Sequence, residues 1–151
     1  MVIGAPDSGK STFCRYLYSQ LLAQQRSCAY LDGDPGQAFL GPPTTLSLTS
    51  GDLEQPTQVW RRFVATLSPR GNMLTMLTAV SRLVRKGFRQ KAEVIVYDTD
   101  GLVDPQQGGI YYKFALIELL APQAICLLSI QDELQPLLNY FLRQNRTAVY
   151  H

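Results

Sequence analysis

Residues 4–12 read GAPDSGKST and match the pattern G-x-x-x-x-G-K-[ST]. The apolar residues MVI precede them and predict a short strand, and a helix is predicted from Gly9 to about Gln25, with apolar residues at four-residue spacing. A glycine-rich turn between a strand and a helix presents backbone N–H groups and the positive helix end to an anion. The stretch therefore predicts a phosphate-binding loop, or P-loop.

Each residue type in this loop has a chemical reason. Gly4 and Gly9 allow the backbone angles that turn several N–H groups into one concavity. Lys10 can reach the β- and γ-phosphates of a nucleotide, and the Ser11 hydroxyl is placed to bind Mg²⁺. Thr12 contacts an α-phosphate or caps the helix. The residues predicted to bind nucleotide are Gly4, Ala5, Pro6, Asp7, Ser8, Gly9, Lys10, Ser11 and Thr12.

Short apolar runs alternate with helical patterns along the chain. The predicted strands after the loop are CAYLD, VWRRFVATL, EVIVYD and AICLLSI. The predicted helices are Asn72–Lys86, GIYYKFALIELL and DELQPLLNYFL, the last with Pro136 near its start. Residues 35–56 are rich in Gly and Pro and are predicted to be a long functional loop. The alternation predicts a single α/β domain over residues 1–151, a P-loop NTPase fold with a mainly parallel sheet flanked by helices on both faces.

Two predicted strand ends offer an aspartate that could hold a metal ion. Asp98 follows directly on four apolar residues in VIVYDTDG. Asp34 follows the strand CAYLD, where a Pro-Gly pair forces a turn toward the phosphates. Aspartate is also common in turns for purely structural reasons, a role open to Asp32 and Asp100. The residues alone leave Asp34 and Asp98 both open as the metal ligand.

The composition excludes several classes of protein. With 46% hydrophobic and 17% charged residues, the chain is of the globular class. No apolar run reaches 18 residues and no secretory signal is present, so we expect a cytoplasmic protein. Cys14, Cys28 and Cys126 are predicted to be buried thiols of a reducing compartment. With His151 as the single histidine and no CxxC pair, a metal would be bound through oxygen ligands.

The basic residues are concentrated in the middle of the chain. Residues 61–91 carry eight basic and no acidic residues, whereas residues 1–60 carry three basic and five acidic and residues 92–151 carry three and seven. A basic segment in an otherwise acidic chain suits a polyanionic substrate such as nucleic acid. A solvated helix face is an equally good explanation of this pattern.

Four segments, taken together, resemble one family. GAPDSGKST, LDGDPGQ, TLSPRGN and DTDGL, the last followed by a YKFALIELLAP helix, resemble in order and spacing the Clp/Grc type of polynucleotide 5′-hydroxyl kinases. The resemblance covers nearly the whole chain. The P-loop alone indicates only an NTPase, whereas D-x-D-P-G-Q and T-x-S-P-x-G-N are much less common. The resemblance implies Mg²⁺-dependent transfer of the γ-phosphate of ATP, or of another NTP such as GTP, to the 5′-hydroxyl of RNA or DNA, with RNA favoured.

The resemblance also implies roles for individual residues. Lys10 and Asp34 are implied as catalytic, and Asp34 as both metal ligand and base. Ser11 completes the implied metal site, with Asp98 as the second choice of aspartate. The family's clasp motif falls on residues 98–102. The residues implied to bind the acceptor strand are Gln37, Thr66, Ser68, Arg70, Asn72, Thr99 and Gly101.

The sequence departs from the family pattern in two places. Leu102 stands where the family has a tryptophan, so base stacking worth about 1–3 kcal/mol is missing unless Tyr111 or Tyr112 supplies it. The family's arginine-bearing lid falls beyond residue 151, and Arg143 and Arg146 are too early to belong to it. Both ends of the sequence are abrupt. We therefore expect a fragment without a lid that binds better than it catalyses.

Three other functions share the P-loop residues. A nucleotide-switch GTPase or ATPase is disfavoured because no N-K-x-D motif occurs, nor the His/Cys clusters that metal delivery would need. A kinase of small molecules is disfavoured by the basic residues 61–91. A non-catalytic nucleotide-binding scaffold in RNA processing is compatible with Leu102 and the missing lid.

Overall fold

A computed structural model describes residues 1–141 and 147–150 of the chain. Its strands are β1 (Val2–Gly4), β2 (Cys28–Gly33), β3 (Thr45–Ser50), β4 (Val59–Phe63), β5 (Val94–Thr99), β6 (Ala124–Leu128) and β7 (Ala148–Tyr150). Its α-helices are α1 (Lys10–Ala23), α2 (Met73–Arg89), α3 (Gly109–Leu120) and α4 (Gln135–Phe141). Arg143, Arg146 and His151 lie outside the described residues.

The strands form one sheet in the order β4-β3-β2-β5-β1-β6-β7. Neighbours from β2 to β7 pair in parallel, whereas β3 pairs antiparallel with both β2 and β4. Parallel strands need crossover helices, which cover the sheet and bury its middle strands. The predicted α/β fold with a mainly parallel sheet is confirmed.

Helices pack on both faces of the sheet, as predicted. On one face α1 packs its Cys14 and Tyr18 against Val2, Tyr30 and Val96 of the central strands. The opposite face carries α2, α3 and α4, whose apolar side chains form two further clusters with the sheet. Neighbouring residues of a strand point to opposite faces, which is why Val2 contacts the α1 side while Ile3 contacts the α3 side.

The prediction of a loop over residues 35–56 is wrong for its central part, which is the strand β3. Leu46 and Leu48 are fully buried against α2, and Ser47 and Thr49 are buried on the other face. The alternation of TLSLTS and the hydrogen bonds to two neighbouring strands decide the structure here, in spite of the many flanking Gly and Pro residues.

Other element boundaries differ from the sequence expectation for local reasons. The strand predicted over VWRRFVATL ends at Phe63, because Ala65 has a φ of 56° and leaves the extended conformation. Helix α2 runs to Arg89, beyond the predicted end at Lys86. Pro136 is the second residue of α4, where its missing N–H costs no helical hydrogen bond.

The three cysteines are free thiols, as predicted, with Cys14 and Cys28 buried and Cys126 partly buried. Burial raises the pKa of the Cys14 thiol far above its ordinary value, so it stays protonated and unreactive. Within the described part of the chain, no helix combines the length and the apolar character that crossing a membrane requires.

Candidate active site

A large cavity lies at the carboxyl ends of the central parallel strands, next to the loop of residues 4–12. Its volume is about 840 Å³. Ligands of open α/β sheets bind at this edge, outside the carboxyl ends of the strands. The predicted site residues that line the cavity are Pro6, Lys10, Ser11, Asp34, Gln37, Ser68, Asp98 and Gly101. We call it the main cavity.

The loop of residues 4–12 connects β1 to α1 through a strained turn. Asp7 and Gly9 have φ angles of 59° and 84°, in the left-handed region that glycine tolerates best. Gly9 is directly followed by the first residue of α1, so the amino end of this 14-residue helix faces the main cavity. Free N–H groups and the helix dipole make this end a site for an anion.

Lys10 is held against its own loop at the wall of the main cavity. Its side chain is only 7% exposed, and Nζ donates a hydrogen bond of 2.7 Å to the Ala5 carbonyl oxygen. The ammonium therefore sits within the curve of the loop, where a bound phosphate would also lie. A buried cation with one backbone partner retains donors for an anionic ligand.

Asp98 places a buried carboxylate beside Lys10 and Ser11. Tyr30 donates a hydrogen bond of 2.9 Å to Asp98 Oδ2, whereas Oδ1 is buried without a hydrogen-bond partner among the described residues. Burial raises the pKa of Asp98, and the nearby Ser11 hydroxyl, the Tyr30 hydrogen bond and the Lys10 ammonium oppose that rise. A buried, unpartnered carboxylate oxygen in a cavity is a ready ligand for a cation.

Asp34 and Asp32 shape the turn that follows β2. Asp34 Oδ1 accepts hydrogen bonds from the backbone N–H groups of Gly36 and Gln37, at 2.9 and 3.0 Å. Asp32 Oδ2 accepts from the N–H groups of Phe39 and Leu40, and its burial raises the pKa of Asp32 to about 6. Both aspartates line the main cavity, but Asp32 is buried and holds the turn, whereas Asp34 is half-buried.

The segment after β5 is anchored by a buried ion pair. Lys113 is 0% exposed, and its Nζ lies 2.8 Å from Oδ1 of Asp100 and 2.8 Å from the Asp100 carbonyl oxygen. Asp100 Oδ1 also accepts the N–H of Leu102. Burial lowers the pKa of Lys113, and the Asp100 carboxylate opposes this shift. The pair fixes Asp100, Gly101 and Leu102 at the wall of the main cavity.

Removing one partner of this pair should destabilise the protein strongly. We expect Lys113→Ala to lower the free energy of unfolding by about 3–5 kcal/mol, because Asp100 would remain as an uncompensated buried charge. Denaturant unfolding measures the loss. The matched double variant Asp100→Asn with Lys113→Ala leaves the same cavity but no buried charge and should recover part of the loss; equal losses in the single and double variants would contradict the charge explanation.

The loop of residues 66–72 closes another side of the main cavity. Thr66 Oγ1 donates to the Ser68 carbonyl oxygen, and Ser68 Oγ accepts from the Arg70 N–H, so the loop is braced by its own hydrogen bonds. Gly36 approaches it so closely that an added Cβ would lie 2.6 Å from the Leu67 carbonyl oxygen. Of the predicted residues here, Ser68 lines the cavity, whereas Thr66, Arg70 and Asn72 do not.

Some predicted residues lie apart from the main cavity. Thr99 is 1% exposed, and its hydroxyl donates to the Val2 carbonyl oxygen across the sheet. Tyr112 is buried and cannot stack on a base, so that interpretation is wrong, while Tyr111 is 71% exposed and lines a separate groove. The predicted nucleotide-binding residues that do not line the main cavity are Gly4, Ala5, Asp7, Ser8, Gly9 and Thr12.

The main cavity also contains two residues that the motifs did not reveal. Arg15 lies one helical turn after Ser11 and donates from Nε to the Ser11 carbonyl oxygen at 3.2 Å. Its guanidinium lies 5.3 Å from the ring centre of Phe39, which is half exposed in the cavity wall. The i to i+4 spacing of Ser11 and Arg15 could have indicated the arginine, whereas Phe39 follows a turn and has no comparable signal.

The oxygen-rich wall fits a magnesium ion. Among the residues described, no three His, Cys, Asp or Glu side chains gather as a complete metal site. Mg²⁺ prefers one or two carboxylates together with substrate phosphates and water, so a complete protein cage is not needed. The Ser11 hydroxyl and a carboxylate of Asp98 or Asp34 supply the appropriate oxygen donors.

The chain is similar in sequence to kinases of polynucleotide 5′-hydroxyl groups. The polyribonucleotide 5′-hydroxyl-kinase of Pyrococcus horikoshii is 31% identical over 146 residues, which cover 93% of this chain and 40% of that relative. The polynucleotide 5′-hydroxyl-kinase grc3 of Schizosaccharomyces pombe is 37% identical over 151 residues, covering 87% of this chain and 20% of that protein. The chain thus spans well under half the length of these relatives.

The chain also matches one solved structure in fold and one protein family in sequence. A chain of the solved structure of a wild-type Clp1p–Pcf11p complex superposes with a TM-score of 0.72 at 17% identity, over 98% of this chain and 42% of that chain. The family described as mRNA cleavage and polyadenylation factor CLP1 P-loop matches residues 4–151. Because that match extends over nearly all of the chain, the protein belongs to the CLP1 P-loop family.

Proposed function

We propose that residues 1–151 form the single P-loop core domain of a polynucleotide 5′-hydroxyl kinase, which transfers the γ-phosphate of ATP, or of GTP, to the 5′-hydroxyl of RNA or DNA. The observation that carries the proposal is the convergence in one cavity of a phosphate loop, a buried lysine and two carboxylates. The names of the archaeal and fungal relatives support the acceptor class. We also propose the cytoplasm as its compartment.

The phosphate loop would bind the nucleotide through its backbone. The N–H groups at the start of α1 face the main cavity, and the Lys10 ammonium would exchange its bond to Ala5 for the β- and γ-phosphate oxygens. Phosphoryl transfer has a loose transition state with charge on the equatorial oxygens, so positioned positive charge is the main contribution of the protein. Arg15 adds a second cation to the same cavity.

Ser11 and Asp98 would hold Mg²⁺, with Asp34 as the alternative ligand. The resemblance to the kinases implies Asp34, whereas the geometry favours Asp98, because its buried Oδ1 has no hydrogen-bond partner among the described residues and Ser11 is close to its carboxylate. When bound, Mg²⁺ would neutralise charge on the phosphates of the nucleotide. Asp34, half-buried just after the neighbouring strand β2, is then available to accept the proton of the 5′-hydroxyl.

The acceptor strand would enter between the two loops that meet at Gly36. Gln37 and Ser68 line this side of the main cavity and offer polar groups to the terminal sugar and phosphate. Leu102 lines the cavity without offering an aromatic ring, but the exposed ring of Phe39 lies in the same wall beside Arg15. We propose that Phe39 provides the stacking surface for the terminal base.

Transfer of radiolabel from γ-³²P-ATP to oligonucleotides with a 5′-hydroxyl tests the proposed function. We expect label on an RNA oligonucleotide, a weaker signal on its DNA counterpart, and loss of both signals with EDTA. An oligonucleotide that already carries a 5′-phosphate is the matched control and should remain unlabelled. ATP binding without any transfer, both in this chain and in a protein that extends past residue 151, would contradict the kinase and favour the non-catalytic scaffold.

A further inference from the structure

We propose that a row of cations between strand β4 and helix α2 binds the phosphate backbone of the polynucleotide whose 5′ end lies in the main cavity. We call this surface the basic furrow; it is formed by Arg62, Arg82, Arg85, Lys86 and Arg89. The inference rests on the proposed function for the location of the 5′ end. It adds a second contact surface, away from the reacting atoms.

The furrow is a concave surface between the edge strand and a helix. It comprises a cavity of about 650 Å³ and an adjoining one of about 540 Å³, which share Arg61, Arg62 and Arg82. Arg62 stands opposite Leu46 in the sheet and therefore points to the face that α2 covers. Arg61 points to the other face, where its Nη2 donates to the Leu40 carbonyl oxygen.

The cations of α2 share one face of the helix. Arg82, Arg85 and Arg89 follow one another at spacings of three and four residues, and all three are exposed. The row from Arg82 to Arg89 extends about 10 Å along the helix axis, a length over which one strand of a duplex carries about three phosphates. Lys86 lies 5.0 Å from the ring centre of Trp60, which holds its ammonium in the furrow.

The positive charge of the furrow is uncompensated. No side chain of the furrow forms an ion pair with a carboxylate in residues 1–141 and 147–150, where the pairs present are Arg26–Glu93 and Lys113–Asp100. Residues 61–91 contain no acidic residue at all. A charged edge strand also protects a sheet from aggregation, but that purpose does not require cations along the neighbouring helix.

The furrow is connected to the main cavity by the segment that joins β4 to α2. Strand β4 runs parallel to β2, since both pair antiparallel with β3, so its end at Phe63 lies at the same edge as the main cavity. The loop after it supplies Leu67, Ser68 and Pro69 to the cavity wall and then enters α2. Helix α2 leads about 24 Å away from that point. A strand that begins in the cavity could follow it.

This connection favours a polynucleotide over an acidic protein segment. Arginine binds carboxylate and phosphate equally well through its planar donors, so the chemistry of the side chains does not separate the two. The position of the furrow favours phosphate. A polynucleotide whose 5′ end is bound in the main cavity must place its following phosphates on the adjacent surface. Backbone contacts of this kind carry affinity without reading sequence.

The test is the salt dependence of binding of a 3′-fluorescein-labelled single-stranded RNA of about twenty nucleotides, measured by anisotropy without ATP. The variant combines Arg82→Gln, Arg85→Gln and Arg89→Gln. Each lost phosphate contact lowers the slope of log K against log salt by about 0.7 for a single strand, so we expect a slope smaller by about 2 and binding at least about tenfold weaker.

Two control variants test whether the effect depends on positive charge and on its position in the furrow. A stability measurement tests whether the variants remain folded. The triple Arg→Lys variant at the same positions keeps the charge and should keep the wild-type slope within about 0.5. Arg26→Gln removes a cation outside the furrow and should leave the slope unchanged. Unfolding midpoints of all variants should agree, because the substituted side chains are exposed.

Several outcomes would overturn the proposal. An unchanged slope in the triple Gln variant would remove the furrow from the interface. A loss of about 0.7 in the Arg26→Gln variant, equal per charge to that of the triple variant, would show that net charge alone explains the effect. Displacement of the RNA by poly-glutamate at equal charge concentration would assign the furrow to acidic proteins. The assay is independent of catalysis: a smaller slope without phosphoryl transfer would retain the furrow while contradicting the kinase.

Discussion

Replacing Lys10 by alanine is expected to reduce phosphoryl transfer by a factor of about 10²–10³ or more. Lys10 is buried beside Asp98 within the curve of the phosphate loop. Arg15, the second cation of the main cavity, donates to the Ser11 carbonyl oxygen and is not placed to replace the lost ammonium. Because the transition state is loose, loss of this charge should be at least as severe as Asp34→Asn. Initial rates with labelled ATP and a 5′-hydroxyl RNA measure the effect.

A matched variant distinguishes charge from packing at this position. Lys10→Met keeps an unbranched side chain of similar length but removes the charge and the hydrogen bond to Ala5, so it should be as inactive as Lys10→Ala. Both variants remove the stronger of the two hydrogen bonds to the Ala5 carbonyl oxygen and leave the Ser8 N–H at 3.4 Å, so they should cost about 1 kcal/mol of stability. A rate above a tenth of the wild type in either variant would contradict the assignment of Lys10.

Separate substitutions of Asp98 and Asp34 should show which aspartate binds the metal ion and which activates the acceptor hydroxyl. Asp98→Asn preserves the acceptor for the Tyr30 hydroxyl but removes the negative charge, and we expect the Mg²⁺ concentration for half-maximal rate to rise at least about tenfold. Asp34→Asn should lower the maximal rate by about 10²–10⁴, the range for loss of a general base, at an unchanged Mg²⁺ requirement. Rates measured over a Mg²⁺ titration give both quantities.

The reverse result has a definite meaning. If Asp34→Asn raises the Mg²⁺ requirement and Asp98→Asn does not, Asp34 is the metal ligand, as the resemblance to the kinases implies. Asp32→Asn is unsuitable as a control, because Asp32 anchors the N–H groups of Phe39 and Leu40 and its loss would displace the whole turn. Asp104→Asn is the better comparison, since Asp104 lines the cavity but accepts its hydrogen bonds from Gln106 and Gln107.

Features of the site that lie within a short stretch of chain were predictable. The phosphate loop is nine consecutive residues between a strand and a helix, and its geometry depends on local backbone angles at Gly9 and on the start of α1. The alternation of strands and helices likewise predicted a parallel sheet. The apolar runs in its middle strands agree with this, because helices bury those strands on both faces. Strand β3 escaped prediction since its flanking Gly and Pro residues outweighed a six-residue alternation.

Features that depend on distant residues required the tertiary structure. The Tyr30 hydroxyl reaches Asp98 across 68 residues of sequence, and it is this contact that distinguishes the environment of Asp98 from that of Asp34. Thr99 matches a binding motif, yet its hydroxyl donates to Val2 in the neighbouring strand. A motif specifies which residues are present, but the sheet register decides which side chains face the cavity and which face the core.

The sequence by itself determined that this protein has an α/β fold, that it carries a phosphate-binding loop, and that its positive charge is concentrated in residues 61–91. These properties follow from local spacing and composition, which do not require knowledge of distant contacts. Only the tertiary structure decided that Arg15 and Phe39 join the cavity, that Lys113 neutralises Asp100, and that the cations of α2 and β4 form one furrow. Such groupings depend on which strands are neighbours, a result of packing the whole core at once.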